Sequence, residues 1–128
     1  PIEPNEICGT ADLIRFGDGG LTVIDFKGEE RVTPAAENLQ LGFFAVCLAR
    51  LWNADEINVA IVYIRRDGSL EWDRARLSAW DIEAHAARLQ VLHARLVASR
   101  ATVAAGGIPD LTTGPHCARC PSMVRSAS

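Results

Sequence analysis

A Gly-Asp-Gly-Gly run at residues 17–20 constrains the fold of this chain more than any other feature. Glycine supplies the backbone angles that a tight reversal needs, and the flanking segments suit strands. Residues 6–16, EICGTADLIRF, are rich in strand formers, and residues 21–27, LTVIDFK, form a short apolar strand. Alternation puts Leu21, Val23, Asp25 and Lys27 on one face and Thr22, Ile24 and Phe26 on the other. Apolar residues on both faces belong to a strand inside a sheet, not at its edge.

Thr33-Pro34 predicts a helix start, with a hydroxyl for the N-cap and proline in the first helical position. That helix runs to about Leu51 or Trp52. Leu39, Phe43, Val46 and Arg50 form one stripe, and Gln40, Phe44, Cys47 and Leu51 the next. Cys47 reads as a core residue, since free cysteine packs as a small hydrophobe. INVAIVYIRR at 57–66 is a third strand, and Asp67-Gly68-Ser69 turns it into a fourth, LEWDRAR. Ser78 with Asp81 resembles a capping box and opens a long helix. It carries Ile82, Ala86, Leu89, Leu92 and Leu96 inward, leaves His85 and His93 on its polar face, and frays near the glycines at 106–107. The three tryptophans, Trp52, Trp72 and Trp80, could offer stacking surfaces, although core or interface packing is the usual role, and Arg65-Arg66 reads as a solvated strand end or a phosphate contact. The order is that of an α/β layer domain opening with an antiparallel pair. Residues 1–107 form the core and 108–128 an irregular Cys/His tail.

Composition removes several alternatives. At 48% hydrophobic and 23% charged, the chain has the balance of a globular domain. No apolar run approaches the length of about eighteen residues that a membrane span needs. The opening at Pro1 carries no basic start with an apolar stretch behind it, which predicts no signal peptide, and implies residues missing upstream. A net charge of −3 argues against a protein held to nucleic acid by bulk electrostatics, but does not exclude an enzyme that acts on it. Of the thirteen basic residues, twelve are arginine and one is Lys27. Cys8, Cys47, Cys117 and Cys120 make no disulfide framework, which points to a reducing, cytoplasmic compartment.

Folding the hairpin so that Phe16 faces Leu21 sets Asp12 directly opposite Asp25, on one face with Lys27. Like charges opposed on a buried sheet are destabilising, and each costs several kcal/mol if it is buried unpaired. A divalent cation between the carboxylates resolves the conflict; Mg²⁺ takes one or two carboxylates and fills its remaining positions with water or phosphate oxygen. The lysine ammonium can then orient an attacking water and stabilise charge on a phosphate oxygen.

Gly9-Thr10-Ala11-Asp12, the hairpin, and Val23-Ile24-Asp25-Phe26-Lys27-Gly28 resemble the PD-(D/E)XK nuclease superfamily, in particular its RecB-like exonucleases. Gln40 in ENLQLGFF fits the glutamine on the helix that follows in that family, although Phe43 and Phe44 stand where an aromatic hydroxyl is usual. The resemblance implies a restriction-endonuclease-like core, a central mixed β-sheet opening with an antiparallel hairpin and flanked by helices. It implies that Asp12, Asp25 and the Phe26 backbone carbonyl bind Mg²⁺ or Mn²⁺, that Lys27 assists the hydrolytic water, and that Gln40 steadies the site or touches DNA. The reaction would be phosphodiester hydrolysis of DNA in phage or bacterial recombination or repair, with a possible partner protein in such a complex. A further acid or histidine ligand would come from a helix upstream of this chain.

The tail carries Gly114-Pro115-His116-Cys117-Ala118-Arg119-Cys120-Pro121, a tight knuckle. His116, Cys117 and Cys120 could supply ligands to Zn²⁺ or to an iron–sulfur cluster, against the plainer reading of a tail without metal. For the whole chain, two alternatives stand beside the nuclease. One is a catalytically silent member of the same fold that binds DNA or protein; the other is a zinc-knuckle interaction domain.

Overall fold

The computed structural model describes residues 7–109, 111–112 and 114–119. Its elements follow the expected order: β1 (Leu13–Gly17), β2 (Gly20–Lys27), α1 (Leu39–Trp52), β3 (Ile57–Ile64), β4 (Leu70–Leu77) and α2 (Ala79–Ala104), then a 3₁₀ turn at Pro115–Arg119. The described residues form two compact units, with the boundary between Val91 and Leu92.

The four strands make one mixed sheet in the order β1-β2-β3-β4. β1 and β2 pair antiparallel, with Phe16 opposite Leu21 and Leu13 opposite Ile24, as the hairpin argument requires. Gly17 pairs with Gly20, so the loop is two residues, Asp18-Gly19, and Gly20 takes φ +97°, a value that favours glycine. β2 is an interior strand and runs parallel to β3, an arrangement that needs a crossover, here α1. β1 is shorter than expected: residues 7–12 are not strand, and pairing begins at Leu13.

Helix α1 starts later than Thr33-Pro34 predicts. Pro34 opens a turn instead, in which Glu37 N–H donates to Pro34 O at 2.9 Å. The N-cap is Asn38, whose buried Oδ1 accepts from Leu41 N–H at 3.1 Å. The turn is held because Asp73 Oδ2 on β4 accepts from Ala35 N–H at 2.9 Å, a contact no local pattern reveals. The buried face of α1 is Leu41, Gly42, Phe44, Ala45, Val46, Leu48 and Ala49; it keeps Val46 of one expected stripe and Phe44 of the other, while Gln40, Cys47, Arg50 and Leu51 are exposed. Cys47 lies outside it and is exposed, contrary to expectation.

The core lies between that stripe and one sheet face: Leu21 and Val23 of β2, Val59, Ile61 and Tyr63 of β3, and Leu77, joined by Ile82 and Ala86 of α2. Each large side chain buried there contributes about 1.5–3 kcal/mol. Ile24, Ala60 and Val62 form a smaller cluster on the opposite face.

Ser78 and Asp81 cap α2 as expected: Asp81 Oδ2 accepts from Ser78 N–H and Oγ–H, each at 2.8 Å. The helix ends where the glycines predict, with Gly106 at φ +82° and Gly107 N–H donating to Thr102 O at 2.9 Å. Two expectations for α2 fail. Leu92 and Leu96 are exposed, and His85 is buried, not on a polar face. Its ring fills the space that Gly42 of α1 leaves by having no side chain.

Candidate active site

Asp12 stands one residue before β1, where the register places it opposite Asp25. Its Oδ2 accepts from the Phe26 N–H at 2.9 Å, so a side chain takes over where β1 stops pairing. That N–H holds the exposed Asp12 carboxyl below the usual range; the neighbouring Asp25 carboxyl and, more weakly, the Lys27 charge act in the same direction.

The approach to Asp12 is set by packing. A methyl group on Gly9 would lie 3.1 Å from Phe43 Cε1 and 3.3 Å from Phe44 Cε1, so glycine lets this segment pass close to α1. The two phenylalanines thus serve as a wall for the segment that delivers Asp12.

Asp25 is 4% exposed, on the core face of β2. Lys27 Nζ lies 2.9 Å from its Oδ2, with the lysine side chain 31% exposed. Oδ2 has that ion-pair neighbour but accepts no hydrogen bond, an expensive condition for a buried carboxylate. Asp12, Asp25 and Lys27 are gathered at one end of β2, the two acids side by side and the ammonium against one of them.

The family model of the PD-(D/E)XK nuclease superfamily matches residues 4–125. The chain belongs to the PD-(D/E)XK nuclease superfamily. Its four-stranded mixed sheet with two helices is consistent with the superfamily's restriction-endonuclease-like fold. Superfamily members are typically nucleases and generally use divalent metals such as Mg²⁺. No curated protein and no solved structure matches the chain.

A hard cation suits the donors in this PD-(D/E)XK chain: two carboxylates, one with a buried oxygen lacking a hydrogen bond. Among the described residues, no group of three or more His, Cys, Asp or Glu could hold a metal, so water and phosphate oxygens would complete the coordination. Gln40 is exposed in the first turn of α1, and no hydrogen bond ties it to Asp12, Asp25 or Lys27. In the tail, Cys117 is half-buried and its Sγ accepts from Gly114 N–H at 3.4 Å. Cys120 and the His116 side chain lie outside the described residues.

Sequence reasoning missed the neighbours of Lys27. Tyr63 of β3 pairs with Lys27 and with Glu71 of β4. Its buried hydroxyl accepts from Val32 N–H at 3.2 Å. The Arg31 and Arg65 guanidiniums lie 5.3 and 5.6 Å from its ring centre, and both pair with Glu71. Arg65 and then Arg31 hold the Glu71 carboxyl below its usual range. Arg66 is solvated, as a strand end should be, though it pairs with Glu29, whereas Arg65 is drawn in and also donates to Glu29 O at 3.2 Å. Only the parallel register of β2 on β3 brings this group beside Lys27, and that register has no local signature.

Proposed function

We propose that this chain is the core of a RecB-like, divalent-metal-dependent nuclease that hydrolyses phosphodiester bonds of DNA, acting as an exonuclease in recombination or repair. The observation that carries the reading is the buried Asp25 oxygen without a hydrogen bond, next to the Asp12 carboxyl. Stability alone does not favour such a pair, whereas a site for a hard cation requires one. The RecB-like assignment rests on the ordered set Asp12, hairpin, Asp25-Phe26-Lys27 and helical Gln40. In this reading residues 1–107 form the nuclease core and 108–128 an appended tail.

Asp12, Asp25 and the Phe26 carbonyl would hold Mg²⁺ or Mn²⁺, which would supply Lewis-acid stabilisation of charge on the phosphoryl oxygens. The Phe26 N–H keeps Asp12 ionised, and the core around Asp25 fixes its carboxyl. Lys27, whose ammonium stands beside Asp25, would orient the attacking water and stabilise charge on the phosphate oxygen. A water oxygen would bond to phosphorus as the bond to the leaving sugar oxygen breaks; the attacking water gives up a proton to solvent, and a solvent water returns one to the departing oxygen. Gln40 touches the DNA backbone.

Mn²⁺ binding by calorimetry, together with Mg²⁺-dependent cleavage of linear and circular DNA, tests this. Wild type should bind Mn²⁺ and cut linear DNA; Asp25→Ala should lose both activities; Lys27→Ala should keep Mn²⁺ and lose cleavage. Equal Mn²⁺ affinity in wild type and Asp25→Ala would remove the metal site. Metal binding without cleavage by wild type would favour the silent, DNA-binding alternative.

A further inference from the structure

Strand β4 sorts its charges by face. Glu71 and Asp73 alternate onto the side that carries Lys27 and Asp25, through the rows Lys27–Tyr63–Glu71 and Asp25–Ile61–Asp73. Trp72, Arg74 and Arg76 alternate onto the other side. There a second row crosses the whole sheet, from Arg15 on β1 through Thr22 and Asn58 to Arg76 on β4. Arg15, Trp72, Arg74 and Arg76 line a cavity of about 400 Å³ floored by Ile24 and Ala60, with no acidic residue in its lining.

The arginines there are poorly neutralised. Among the described residues Arg15 and Arg74 have no ion pair, and Arg74 instead lies over the Trp72 ring, 4.3 Å from its centre. Arg76 reaches Asn58 Oδ1 at 3.3 Å and Glu56 at 3.7 Å, both side chains of that ion pair being largely exposed, where such pairs are weak. On a chain of net charge −3, this concentration of cations is a local feature.

We propose that this cavity binds a single-stranded polynucleotide, on the sheet face opposite Asp12, Asp25 and Lys27. Three strand spacings separate Arg15 from Arg76, roughly 14 Å, a span for an elongated polyanion, not one phosphate. Guanidinium forks match phosphate oxygens in pairs. The half-exposed Trp72 ring, with Arg74 stacked on it, offers a planar surface to an unpaired base, which a duplex does not present. The choice of nucleic acid as the polyanion rests on the nuclease reading; the cavity and its charge do not.

Fluorescence anisotropy of labelled oligo-dT with the full chain in EDTA tests this without metal. Wild type and Arg50→Ala, which removes an exposed cation on α1 away from the cavity, should bind alike. Arg15→Ala/Arg74→Ala should bind at least tenfold more weakly, with the logarithmic salt slope reduced by about 1.4 for two lost phosphate contacts. Trp72→Leu should lose about tenfold through stacking. Arg15→Lys/Arg74→Lys, which keeps the charge, should retain the slope, and circular dichroism should show all variants folded. Oligo-rU binding as tightly as oligo-dT also supports the proposal and identifies RNA as a possible source of the strand. Absence of oligo-dT binding, undiminished binding by the double alanine variant, or an equal loss of binding in Arg50→Ala would overturn it. So would displacement by poly-glutamate with Trp72→Leu unaffected, the behaviour of a dock for acidic protein. Because the binding arm contains no metal, its failure is distinct from failure of Mn²⁺ binding at Asp25.

Discussion

Replacing Gly42 with alanine tests the packing of α2 on α1 most directly. A methyl group there would stand 2.2 Å from Nδ1, 2.6 Å from Cγ and 2.7 Å from Cε1 of His85. Apolar contacts settle at about 3.5–4.0 Å, so the ring must retreat by roughly 1 Å or more. Its Nε2 is 3.0 Å from Ala36 O, and retreat breaks that hydrogen bond. The lost bond costs about 1 kcal/mol and the overpacking about 1–3 kcal/mol. Alanine returns about 1 kcal/mol through helix propensity. Gly42→Ala should therefore destabilise the protein by about 1–3 kcal/mol. In a His85→Ala background the methyl group has room, and the same change should stabilise by about 1 kcal/mol. Urea unfolding of the four proteins completes the cycle, read as midpoint shifts at constant slope. A Gly42→Ala effect of the same sign in both backgrounds would refute the reasoning.

Asn38→Ala removes the cap of α1 and should cost about 1 kcal/mol in urea unfolding, with Asn38→Asp nearly neutral. Carboxyl NMR of the metal-free protein should show Asp12 titrating below the ordinary aspartate value of about 3.9. Because that pKa is depressed by folding, its contribution to stability is complete above the unfolded value and disappears as pH falls through the folded one. An Asp12 midpoint at or above the ordinary value would contradict the Phe26 hydrogen bond. Cys47 is exposed, but partial burial raises its thiol pKa, so at pH 8 iodoacetamide should modify it more slowly than glutathione; an equal or faster rate would count against that environment.

The hairpin shows how far local chemistry reaches. Gly17-Asp18-Gly19-Gly20 admits a tight reversal, alternation in LTVIDFK sets the faces, and together they bring Asp12 opposite Asp25 before any tertiary contact is considered. The Ser78–Asp81 cap and the glycines after α2 are equally local, because each depends on hydrogen bonds between residues within a few positions. The start of α1 is different. Thr33-Pro34 is a sound start signal, but Asp73, from a strand formed much later in the chain, holds Ala35 in a turn and gives the cap to Asn38. The face of α1 that packs on the sheet is centred on Leu41, Ala45 and Leu48, which leaves Cys47 toward water.

What the sequence determined by itself was the order of the elements, the hairpin register, and so the company of Asp12, Asp25 and Lys27. Only the tertiary structure decided which neighbours surround Lys27, where His85 goes, and that β4 divides its acids from its arginines across the sheet. The physical reason is range. Turns, caps and alternation are fixed by backbone geometry over a few residues, whereas the parallel pairing of β2 with β3 and the packing at Gly42 join residues distant in the chain, chosen by burial and shape that no short segment encodes.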